Sequence, residues 1–69
     1  MSSSDIHAYS KDLERQRDSL LDDLKALVER FEKGEIDEGQ YKYKRHEIER
    51  TLVEIMDRLA QARFLSGQT

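Results

Sequence analysis

Few residues of this chain are suited to chemistry. His46-Glu47-Ile48-Glu49-Arg50 begins like the helical zinc-binding pattern His-Glu-x-x-His, in which two histidines four residues apart share one helix face. The fifth position here is Arg50, a cation, so the second ligand is missing. The other histidine, His7, falls at the far end of any hairpin built from this chain. There is no Cys, which removes thiolate metal sites and disulfides. Most serines lie toward the termini with no base near them, and two helices make no pocket deep enough to exclude water. No enzyme activity, no metal site and no cofactor are therefore expected.

Two charged stretches carry the remaining possibilities. Tyr41-Lys42-Tyr43-Lys44-Arg45-His46 interleaves cations with aromatic rings, the pairing that tracks a phosphate backbone and stacks on bases. With Lys11 and Arg15 it supports an alternative reading, a small dimeric helical nucleic-acid-binding regulator. Against it stand Glu38, Glu47 and Glu49 in the same region and a formal net charge of -3. The second stretch is acidic: Glu32, Glu35, Asp37 and Glu38 surround Gly34 and Gly39. Carboxylates so gathered can hold a divalent cation, but helix capping places acidic residues at the same spot.

These residues must be positioned by helices. Charged residues make up 39% of the 69 and Pro is absent, which leaves no turn chemistry for a sandwich or barrel. Ile6, Leu13, Leu20, Leu24, Leu27 and Phe31 recur at intervals of seven, four and three, the spacing of one helix face. The spacing predicts a first helix over about 5–33, with Ser3 or Ser4 as N-cap and Asp5 in the first turn. Gly34 follows Lys33, where a left-handed residue closes a helix. Asp37 is the next cap, Gln40 completes a capping box, and Ile36 with Tyr41 forms a hydrophobic staple. A second helix follows over about 38–65, with Tyr41, Ile48, Leu52, Ile55, Leu59 and Ala62 on its seam. The tail from Ser66 to Thr69 is expected to fray. The short turn over 34–37 joins antiparallel neighbours. Residues whose numbers sum to roughly 72 then face each other, at 1.5 Å per residue along each helix. Phe31 meets Tyr41, Leu24 meets Ile48, Leu20 meets Leu52 and Leu13 meets Leu59.

Arg17 and Arg45 fall on seam positions. A charge there can fix register or oligomer state, or extend along the seam to reach water and a carboxylate.

The apolar surface exceeds what one partner helix covers. At about 100° per residue, Val53, Met56, Ala60 and Phe64 lie roughly 80–160° from the middle of the second helix's seam. Leu21 and Val28 widen the first helix's stripe in the same way. A two-helix hairpin of this size has a small core. These six residues are expected to form an interface with a second copy, with a larger protein, or with both.

Part of the chain resembles a known family. Leu24-Lys25-Ala26-Leu27, then Gly34-Glu35-Ile36-Asp37-Glu38, then Tyr41 and Lys44 look like the SHOCT-type short helical motif. The likeness spans about Leu24–Ile48. Gly39 and Gln40 stand where that motif usually has acidic residues, and the helices are longer. The resemblance implies a helical module that assembles with other proteins and has no catalytic residues. The acidic tip also resembles, in shape and charge alone, the probe of Gre-type transcript-cleavage factors, which holds magnesium.

The expected architecture is all-α: a two-helix antiparallel coiled-coil hairpin dimerising into a four-helix bundle. The expected role is a non-catalytic protein–protein interaction module, acting as adaptor, assembly factor or regulator. No apolar run approaches membrane-spanning length and no secretory signal is visible, so a cytoplasmic location is expected.

Overall fold

The computed structural model describes residues 3–65 and Gly67. Two helices account for nearly all of them: α1 over Ser3–Glu32 and α2 over Glu38–Leu65. Among the described residues there is no strand.

The turn between the helices is built as the sequence requires. The Gly34 N–H donates to the Phe31 carbonyl at 3.0 Å and the Glu35 N–H to the Arg30 carbonyl at 2.9 Å. These are the paired bonds of a Schellman closure, and they need a left-handed residue at Gly34, whose φ is +76°. Arg30 Nε lies 3.7 Å from Glu35 Oε2, so an ion pair spans the closure. Two residues later α2 is capped reciprocally. The Gln40 N–H donates to Asp37 Oδ1 at 2.8 Å, and the Asp37 N–H donates to Gln40 Oε1 at 3.3 Å. Ile36 and Tyr41, the expected staple pair, are both half-buried.

The helices pack along their expected seams. Leu13, Ile55 and Leu59 form a buried cluster with Leu20 against it, and Leu27 and Ala62 are buried as well. At the other end the rings of Phe31 and Tyr41 stack with centroids 4.4 Å apart and planes at 13°. Leu13 with Leu59 and Phe31 with Tyr41 both fit the register in which facing numbers sum to about 72. Leu20, Leu24, Ile48 and Leu52 are only half-buried, because a single neighbouring helix covers one side of each.

Three expectations at the ends need correction. α1 begins at Ser3, two residues before the expected start, and ends at Glu32, with Lys33 in the turn. Ser3 and Ser4 therefore lie inside the helix and not at its cap. Serine is tolerated there because the first turn's N–H groups have no intrahelical carbonyl to serve. Phe31 is 37% exposed despite its seam position, since next to the tip only Tyr41 covers it. Gly67 has a φ of +79° and donates to the Phe64 carbonyl at 3.1 Å, so it does turn the chain after α2. Ser66, Gln68 and Thr69 lie outside the described residues.

The molecule measures 48 × 17 × 14 Å, with a radius of gyration of 15.4 Å. A compact domain of 69 residues would have a radius near 11 Å. Its accessible surface is 5420 Å², against about 4,500 Å² for a compact fold of this mass. The excess, about 900 Å², is the surface of two helices that have only each other.

Candidate functional site: an apolar face on one side of the hairpin

The exposed apolar residues are unevenly distributed. Leu21 is 48% exposed, Met56 57%, Val53 60% and Phe64 71%, and Ala60 is exposed beside them. Val28, expected in the same surface, is half-buried, because its helical angle brings it closer to the seam.

Helix geometry places Leu21, Val53, Met56 and Ala60 toward one side of the molecule, with Phe64, about 180° from Ile55, on the back of α2. Leu21 lies about 80° clockwise from Leu13 as α1 is viewed from its N-terminus. Met56, Ala60 and Val53 lie about 100–160° around α2 from Ile55 in the same sense of rotation. Because the helices run in opposite directions, equal senses of rotation lead to the same side of the pair. The opposite side carries a shallow groove lined by Asp23, Ala26, Leu27, Arg30, Lys44 and Ile48. The apolar face is thus broad near α2 and narrow near α1, and it lies toward the open end of the hairpin.

Along α2 the face has relief. Near its end, Ala60, Gln61, Phe64 and Leu65 line a shallow open recess of about 420 Å³. About 14 residues back, roughly 21 Å along the axis, an open recess of about 460 Å³ is lined by His46, Glu49, Arg50, Val53 and Glu54. The sequence pattern does not disclose this recess, which depends on how the long side chains of Glu49, Arg50 and Glu54 lie. Leu65, 68% exposed, sits about 100° further round α2 from Phe64 and lines the edge of the recess beside it. Tyr9 and Tyr43 are also exposed and lie outside it.

Neither seam arginine is buried. Arg17 Nε pairs with the adjacent Asp18 at 3.1 Å, with its side chain 31% exposed. Arg45 Nε pairs with Glu49 at 3.5 Å, and its guanidinium lies 6.0 Å from the centre of the Tyr41 ring. Both side chains run along the seam and put their charge in water, the arrangement open to long basic residues.

The basic segment is largely matched by its own carboxylates. Lys42 Nζ is 3.0 Å from Glu38 Oε1, and Lys11 Nζ is 3.7 Å from Glu14 Oε2. Each such pair lowers the positive potential available to a phosphate backbone. Tyr43 donates its hydroxyl to Glu47. That bond, with the nearby negative charge, holds the phenol above its ordinary value of about 10.

His46 and His7 are not brought together; the register separates them by about 28 Å along the axis. Among the described residues, no three His, Asp or Glu side chains converge on a metal-sized site. No described helix is long and apolar enough to cross a membrane. No protein-family model, curated protein or solved structure matches the chain.

Proposed function

We propose that this chain is a non-catalytic protein–protein interaction module, an adaptor, assembly factor or regulator, and that its hairpins pair into a four-helix bundle. The observation that carries the reading is the set of exposed apolar residues Leu21, Val53, Met56, Ala60 and Phe64, gathered toward the open half of the hairpin. Scattered exposed apolar residues are ordinary on soluble domains, but a contiguous patch marks a surface that is covered in use. The resemblance of Leu24–Ile48 to SHOCT-type modules points the same way, toward a helical unit that assembles with proteins. Met56 and Phe64 are the anchors, one adaptable and polarizable, the other large and aromatic.

The test is the double variant Met56→Asp with Phe64→Asp, followed by sedimentation. The expected result is a monomer or an unfolded chain. An unchanged oligomer removes the assignment. The nucleic-acid reading makes a separate demand, binding to RNA or DNA that weakens steeply with salt. Absence of binding at low salt disposes of it.

A further inference from the structure

We infer that two copies of this chain exchange helices: the turn straightens, each chain becomes one continuous helix, and α1 of each copy packs on α2 of the other in the register the hairpin uses. The inference stands apart from the apolar face, which the exchange leaves exposed.

Two observations lead there. The first is the frame of the seam. The step of seven that runs through Leu13, Leu20 and Leu27 in α1 lands on Gly34 and continues through Tyr41, Ile48, Ile55 and Ala62 in α2. Leu24 and Phe31 continue in the same way, through Glu38 and Arg45, to Leu52 and Leu59. Straightening residues 33–37 into helix therefore leaves one unbroken stripe from Leu13 to Ala62. A turn one residue longer or shorter would rotate the two halves of that stripe about 100° apart.

The second is the symmetry of the register. Facing residues have numbers that sum to about 72, as Phe31 and Tyr41 do in their stack and Leu13 and Leu59 do in the buried cluster. Two continuous helices laid antiparallel about a two-fold axis near residue 36 have the same sum. Each layer of the hairpin then occurs twice between chains, and no seam contact is lost, which is the requirement for a domain-swapped dimer. The complementarity of such a dimer is that of the seam itself, seen within one chain. The exchange adds a central layer, Gly34 of each copy beside Glu38 of the other. Phe31, 37% exposed where the seam of the hairpin stops, is then no longer at its end.

What resists the exchange is local to the turn. The Gly34 and Glu35 closure, the Asp37–Gln40 cap and the Arg30–Glu35 pair are lost on straightening. Glu32, Glu35, Asp37 and Glu38 of both copies gather near the axis, a repulsion that salt screens. No Pro bars a helix through residues 33–37, and among them only Gly34 has a positive φ. The hairpin is thus the form of dilute solution, and the exchanged pair grows with protein concentration.

The test turns on Gly34→Ala, which strains a hairpin that needs a φ of +76° and favours a helix through the same position. Together the two effects amount to a factor of about 30–150 per copy, so the dimerisation constant should rise roughly 10³- to 10⁴-fold. The chain has no native cysteine, so Leu24→Cys with Ile48→Cys supplies one facing pair for a short thiol cross-linker. In the hairpin, and in any dimer of intact hairpins, the link closes within one chain and the product runs as a monomer on a denaturing gel. In the exchanged dimer it closes between chains and the product runs as a covalent dimer. The expected result is mostly covalent dimer with Gly34→Ala, and with the native turn a dimer band that grows with concentration. Links confined to single chains at every concentration in the Gly34→Ala background overturn the exchange and leave pairing through the apolar face standing. Small-angle scattering from the cysteine-free Gly34→Ala chain gives a second reading: a dimeric particle about 95 Å long, against 48 Å for the hairpin. A particle near the hairpin's length, or loss of helicity at all concentrations, overturns the exchange as well.

Discussion

Phe64 and Leu65 offer a matched comparison. They are adjacent on α2 and 71% and 68% exposed, with Leu65 about 100° further round the helix, at the edge of the apolar face. Fully burying a phenylalanine side chain is worth about 1.5–3 kcal/mol. With most of Phe64 still exposed, about 1–2 kcal/mol per copy remains to be gained on association. A symmetric dimer contains the contact twice, so Phe64→Ala should cost about 2–4 kcal/mol of dimer stability, a dissociation constant weakened roughly 30- to 700-fold. Leu65→Ala removes similar exposed area at the edge of the face and should weaken it by less than Phe64→Ala does, by under about tenfold. Alanine is the better helix former in both cases, so loss of the helix does not explain a loss of mass. Sedimentation equilibrium over a wide concentration range, with helicity followed in parallel, measures both constants. Equal weakening by the two substitutions, or none by Phe64→Ala, would refute the face as drawn.

The turn and the surface offer further tests. Asp37→Ala removes the acceptor 2.8 Å from the Gln40 N–H and should cost about 1 kcal/mol, lowering Tm by about 4–8 °C in thermal unfolding. Gly34→Ala meets no atom within 4 Å of its new Cβ, so its cost, about 1–2 kcal/mol in denaturant unfolding, comes from forcing L-alanine to a positive φ. Glu47→Ala withdraws the acceptor and the negative charge beside Tyr43. Its phenol should then lose its proton at a lower pH, toward the ordinary value of about 10, as read by ultraviolet titration.

The parts of this fold legible in the sequence are those set by neighbours in the chain. Capping chemistry acts over three to five residues, so Gly34, Asp37 and Gln40 declared the turn. Seam periodicity placed Leu13, Leu27, Ile55, Leu59 and Ala62 in the core, and all five are buried. Burial at intermediate positions was less legible, because it depends on how far one helix can reach. Val28 is partly covered where exposure was expected, and Phe31 is partly open where cover was expected. The start of α1 was placed too late, since a run of serines offers several caps of nearly equal merit. Helix angle placed Leu21, Val53, Met56, Ala60 and Phe64 outside the seam, and all five are exposed. The recess around Arg50 was not legible, because side-chain conformations on a surface leave no periodic trace.

The closed end of the hairpin also has a bearing on the order of events in folding. Its Schellman closure, its reciprocal cap, its ion pair and the Phe31–Tyr41 stack all join residues close together in the chain. Contacts of that kind require little loop closure and form on the microsecond scale. The helices then zip from the tip outward, and each further contact joins residues more distant in sequence. Phe64 lies near the last part to close. If the exposed apolar face takes a partner as proposed, completion of the zipper and its capture fall at the same end of the molecule. A partner that arrives early can hold the final turns in place, so the speed of assembly should rise with protein concentration even while the tip forms at a constant rate.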